Sequence, residues 1–69
     1  MREFKLTEEY IELVKLLKLL RIAETGGHAK ILVEEGDVFL NGQKEFRKRA
    51  KLRDGDEIQV FNEKIIIKK

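Results

Sequence analysis

The chain has 69 residues, one histidine, no cysteine and a net charge of +2 at neutral pH. A chain this short forms one domain (1–69) near the lower size limit for folding alone. Without cysteine, neither a disulfide framework nor a thiolate zinc site reinforces it, so no metal or other cofactor is expected. No apolar run reaches the roughly 20 residues of a membrane span and no secretory signal pattern opens the chain, so a cytoplasmic protein is expected.

Residues 2–6, REFKL, alternate weakly between charged and apolar side chains and are predicted as a short edge strand. Thr7, Glu8 and Glu9 read as a turn or a helix start. From Glu12 onward, Leu13, Leu16, Leu17 and Leu20 recur at helical spacing, with Lys15 and Lys18 on the other side, which predicts a first helix with one buried face. Residues 21–24 lead to Thr25, a predicted N-cap whose hydroxyl accepts from an N–H two or three residues on. A second helix is expected over 26–35, burying Ala29, Leu32 and Val33 and stopping at Gly36 in the left-handed conformation.

The periodicity then changes to two. Val38, Phe39 and Leu40, followed by Asn41-Gly42 and then Gln43, Lys44 and Glu45, predict a hairpin, because Asn-Gly tolerates the positive φ angles of a type I′ turn. A second turn is expected at 54–56, a strand at 57–61, a third turn at 62–64 and a last strand at 65–67. There is no repeat, linker or proline. These elements predict an α+β fold, a helix pair packed on a small, mostly antiparallel sheet. Core positions are expected for Tyr10 and Phe39, with stacking on a base as the other reading of each.

Charge is unevenly distributed. Residues 1–43 are net −2 and residues 54–69 net −1, whereas 44–53, KEFRKRAKLR, carry six basic and one acidic residue. If extended, that segment would show Glu45, Arg47, Arg49, Lys51 and Arg53 on one side while Phe46 and Leu52 anchor the other. Such a strip suits successive phosphates, and the arginine fork matches phosphate oxygens; the other reading is a solvated charged loop. At TGGHAK, Thr25 to Lys30, a helix N-terminus presents free N–H groups and partial positive charge. Gly26 and Gly27 remove side-chain bulk there and Lys30 adds a cation, with the basic strip expected alongside. A tight helix connection is the other reading of the two glycines. His28, the lone histidine, is expected as an exposed polar side chain, with RNA contact as its functional reading. No nucleophile–base set and no carboxylate pair in an apolar setting is present, so no enzyme activity is expected.

Taken in order, Leu13 and Leu17, Ile22-Ala23, Thr25, Ala29-Lys30, Gly36, Val38, Asn41-Gly42, Gly55-Asp56, Ile58 and Val60 resemble the RNA-binding domain named after ribosomal protein S-four, with its αL motif. The chain is most similar to the stand-alone members of the YbcJ and YaaA type. That similarity is carried by Thr25-Gly26-Gly27 and by the stretch from Glu45 through Arg47-Lys48-Arg49 to Lys51-Leu52. The wider family tends to place an arginine after the cap and another at the start of the first helix, where this chain has Gly26 and Glu12. The resemblance therefore implies that the cationic role passes to Lys30 and to Arg47, Lys48, Arg49 and Lys51.

The resulting expectation is a monomeric module that binds structured RNA, ribosomal or ribosome-associated, through phosphate and shape contacts. Its RNA-binding residues are Gly26, Gly27, His28, Lys30, Arg47, Lys48, Arg49 and Lys51, with a ribosomal protein as a further partner. The alternative is a protein-interaction module without RNA contact, docking through a patch of Leu16, Leu19 and Ile22 or through the last strand.

Overall fold

In chain order the elements are β1 (Arg2–Lys5), β2 (Ile11–Glu12), α1 (Leu13–Leu19), α2 (Gly26–Glu34), β3 (Val38–Leu40), β4 (Gln43–Lys44), β5 (Lys51–Leu52), β6 (Glu57–Val60) and β7 (Glu63–Lys68). They come from a computed structural model that describes residues 2–69. Five strands form one sheet in the order β1-β7-β6-β3-β4, and β2 with β5 makes a separate two-stranded ribbon. Every pair in the sheet is antiparallel except β1 with β7, which runs parallel. This is the expected α+β class, with β1 at a sheet edge as its sequence suggested.

Alternation fixes the sheet's two faces. Val38, Ile58, Val60, Ile65 and Ile67 are buried, whereas Gln59, Lys64 and Lys68 are exposed and Ile66 is half-buried on the other face. Leu13, Leu16 and Leu17 from α1 and Ala29, Leu32 and Val33 from α2 join the same core. Each fully buried leucine of this kind contributes roughly 1.5–3 kcal/mol relative to exposure. Phe39 follows Val38 and so belongs to the opposite face, where it is half-buried. Tyr10 is 38% exposed, so neither aromatic holds the core position expected of it. The anticipated Leu16, Leu19 and Ile22 patch does not form either, because Leu16 is fully buried, although Leu19 is exposed.

Helix α1 begins one residue later than its leucine period suggests. Ile11 and Glu12 are extended and pair with Leu52 and Lys51, an interaction between segments 40 residues apart that periodicity does not reveal. Glu12 occupies the N-cap position with no side-chain cap. The first N–H groups of the helix are instead taken by distant carbonyls: Leu13 donates to Ala50 at 2.9 Å and Val14 to Lys48 at 3.2 Å.

Both helices end alike. The N–H of Gly36 donates to Val33 and that of Asp37 to Leu32, while Arg21 donates to Lys18 and Ile22 to Leu17. These are the paired bonds of a Schellman motif, which needs a left-handed residue after the cap. Gly36 meets that need at φ +78°, but Arg21 does so at φ +60°, a conformation that crowds a Cβ. Arg21→Gly is therefore expected to raise stability by about 0.5–1 kcal/mol, read as a higher urea midpoint at unchanged slope. An unchanged or lower midpoint would show that the arginine side chain compensates for its backbone.

Asn41 and Gly42 take φ +51° and +87°, as the hairpin reading requires. The last turn is displaced from 62–64. Val60 pairs with Glu63, so the chain reverses over Phe61 and Asn62, and Phe61 takes φ +54°. Lys64 becomes part of β7.

Candidate nucleic-acid interface

The segment 44–53 is not the continuous extended strip its alternation suggests. Strand pairing ends at Lys44, the chain turns at Lys48 and Arg49, and it becomes extended again only at Lys51. Three sets of contacts hold this path. Glu45 N–H donates to Val38 at 2.9 Å, Ala50 and Lys48 carbonyls cap α1, and β5 pairs with β2. Ala50 and Leu52 are buried, whereas Phe46 is 58% exposed and anchors nothing in the core.

Glu45, expected on the charged outer side, is the buried member at 9% exposure. Its carboxylate accepts from the Arg47 backbone N–H at 2.9 Å, from Arg47 Nε at 3.0 Å and, through the other oxygen, from Arg47 Nη2 at 3.0 Å. These hydrogen bonds hold the Glu45 carboxyl below the usual carboxylate range, against the opposing effect of its burial. Arg47 is thereby fixed with 76% of its side chain in water and three of its five guanidinium N–H donors unused.

Lys48 reaches Glu34 at the end of α2, Nζ to Oε2 3.4 Å, with both side chains largely exposed. Such a pair contributes about 0–1 kcal/mol and yields readily to a phosphate. Lys51 and Arg53 sit over the Tyr10 ring, at 4.9 and 5.5 Å from its centroid, a cation–π arrangement. Arg49 is exposed and has no protein partner among the described hydrogen bonds and ion pairs.

The cap of α2 forms as its sequence suggests. Thr25 Oγ1 accepts from His28 N–H at 3.0 Å, and His28 Nδ1 accepts from Glu24 N–H at 3.2 Å. Thr25 caps the helix through its hydroxyl, and the His28 ring reaches back past it to the N–H of the preceding residue. His28 is thus exposed but spends its N–H and one ring nitrogen on the cap. The N–H groups of Gly26 and Gly27 remain as the unbonded donors of the first turn, and Lys30 is exposed one turn on.

The fold does not require the two glycines. Beyond its chain neighbours and its own helix, a Cβ at Gly26 would meet nothing within 4 Å, and one at Gly27 only Thr25 Oγ1 at 3.8 Å. Gly26→Ala with Gly27→Ala is expected to stabilise the protein by roughly 1 kcal/mol in total, measured by chemical denaturation. A loss of stability would restore the tight-connection reading.

The glycines and the basic segment are not side by side. Lys48 contacts Glu34, and Gly26 lies eight residues earlier in α2, about 12 Å along the axis at 1.5 Å per residue. Gly26, Lys30 and Glu34 fall on one ridge of the helix, so that ridge joins the bare N-terminus to the cationic loop. The sequence reading counted Lys44 and Arg53 in the basic segment without naming them among the RNA-binding residues, put Tyr10 in the core and made Phe46 an anchor of the strip's inner side. An aromatic residue inside a cationic run was the one available signal.

Comparison with known proteins agrees with this architecture. A family model described as S4 domain matches residues 4–68. The chain is 43% identical over 49 residues to YbcJ of Escherichia coli (strain K12), covering 71% of this chain and 70% of that one, and equally to YbcJ of Shigella flexneri. The solution structure of E. coli YbcJ, described as revealing an αL motif involved in RNA-binding, superposes with a TM-score of 0.75 at 34% identity, covering all of this chain and 89% of YbcJ. The family match over nearly the whole length and the shared fold place this chain in the S4 domain family.

Proposed function

We propose that this protein binds structured RNA, holding it through phosphate and shape contacts and without catalysis. The observation that carries this reading is the pinned cationic loop. Arg47, Lys48, Arg49 and Lys51 are all exposed on a path fixed by the Val38 bond, the α1 caps and the β2–β5 pairing, so the cations are organised before any ligand arrives. Lys30 and the Gly26 and Gly27 N–H groups extend the surface along α2. The description of the YbcJ αL motif as involved in RNA-binding supports the same class of ligand. Ribosomal or ribosome-associated RNA is the target class we favour, with the protein acting in the cytoplasm as a monomer, beside a ribosomal protein where it docks.

Structured RNA is recognised chiefly by shape, phosphates and 2′-hydroxyls, which fits a surface of cations and open backbone. Titration with RNA hairpins of unrelated sequence is expected to give similar affinities. The logarithm of the binding constant should fall against log salt with a slope of about −3 to −4, the signature of four or five neutralised phosphates. Absence of binding at about 50 mM salt would overturn the proposal.

A further inference from the structure

The apolar residues of the cationic segment divide sharply. Ala50 and Leu52 are buried, yet Phe46, between Glu45 and Arg47, leaves 58% of its surface in water. A loose loop would explain such exposure, but this loop is fixed on both sides of the ring. Glu45 is bonded to β3 through its backbone and to Arg47 through its carboxylate. The ring itself is seated on Gly36, where Phe46 Cε1 lies 3.4 Å from the position a Cβ would occupy and Lys44 Nζ lies 3.5 Å from the same point. A bare, left-handed glycine thus supports the edge of an otherwise open aromatic side chain. An ammonium stands on one side of it in sequence and a fixed guanidinium on the other.

A rigid aromatic surface flanked by cations has the chemistry to take a nucleotide, base on ring and phosphate on cation. Bases inside an uninterrupted duplex present no free face. We propose that Phe46 stacks on an unpaired base while Lys44 and Arg47 take the flanking phosphates, so that the protein selects structured RNA with an unpaired nucleotide over continuous duplex. This rests on the RNA-binding reading above and adds a preference that phosphate contacts alone do not create.

The test compares one hairpin carrying an unpaired loop with a blunt duplex of the same stem, each labelled for anisotropy. The wild-type protein is expected to favour the hairpin by about tenfold. Phe46→Leu should lower hairpin affinity by about tenfold and duplex affinity by less than about twofold, with thermal unfolding recorded to establish that it folds. Phe46→Trp keeps an aromatic ring in place and introduces the chain's only tryptophan. It should retain the preference, and its emission should be quenched by the hairpin and not by the duplex. Equal losses on both RNAs in Phe46→Leu, or unchanged emission at saturation in Phe46→Trp, would overturn the stacking role. If the wild type binds both RNAs with salt dependence and shows no preference, stacking fails while the RNA-binding reading stands. If it binds neither, both fail.

Discussion

Replacing Arg47 and Arg49 together by alanine is expected to weaken binding to structured RNA by roughly one to two orders of magnitude near physiological salt. The loss should be uniform across unrelated sequences, and the salt slope should become shallower by about 1.5 to 2, since two phosphate contacts vanish. The two arginines do not contribute alike. Arg49 has no protein partner among the described contacts, so its loss removes charge from the surface and little else. Arg47 is bonded twice by its guanidinium to buried Glu45. Its removal also leaves a carboxylate with reduced compensation, which lowers stability and turns a local negative charge loose beside the RNA. Arg49→Ala alone should therefore shift the slope by about 1 with an unchanged melting temperature, whereas the double variant should melt lower. Unchanged affinity and slope in the folded double variant would remove the basic loop from the interface.

Leu52→Ala is expected to destabilise the fold by about 2–5 kcal/mol. A domain of this size has roughly 3–10 kcal/mol in total, so a substantial unfolded population should appear at room temperature. Leu52 is fully buried in the two-residue strand β5. That strand pairs with Ile11 and Glu12, and the residues just before it supply the carbonyls that cap α1. The side chain therefore anchors the cationic loop, the start of α1 and the core at once. Urea denaturation should show a much lower midpoint at similar slope, and RNA affinity should fall in proportion to the folded fraction. Leu19→Ala, at a position 55% exposed, should change stability by no more than about 0.5 kcal/mol. A loss below about 1 kcal/mol for Leu52→Ala would mean that the segment is not packed as described.

The elements that follow from short-range chemistry were legible in the residues alone. The Thr25 cap, the Gly36 stop, the Asn41-Gly42 reversal and the leucine face of α1 each depend on groups within about five residues, as the geometry of caps and turns requires. The α+β class and the family likeness follow from those pieces in order. The change to a period of two also marked 38–40, 57–61 and 65–67 as strands, close to the β3, β6 and β7 that form, because that period is intrinsic to an extended backbone.

The candidate site was only half visible on the same basis. Its cations were evident from composition, but their presentation depends on partners far along the chain. Ile11 and Glu12 draw Lys51 and Leu52 into a ribbon, α1 takes the carbonyls of Lys48 and Ala50, and Glu34 receives Lys48. These contacts break the segment's alternation, burying Glu45 and releasing Phe46 to solvent, the reverse of what a continuous strand would do. They also place the cationic loop at the far end of α2 from the two glycines. The sequence by itself determined which residues are cationic, where α2 is capped and where it stops, and which later segments are strands. Only the tertiary structure decided which cations stand free and which aromatic faces water, because those outcomes depend on long-range pairing that local propensity does not encode.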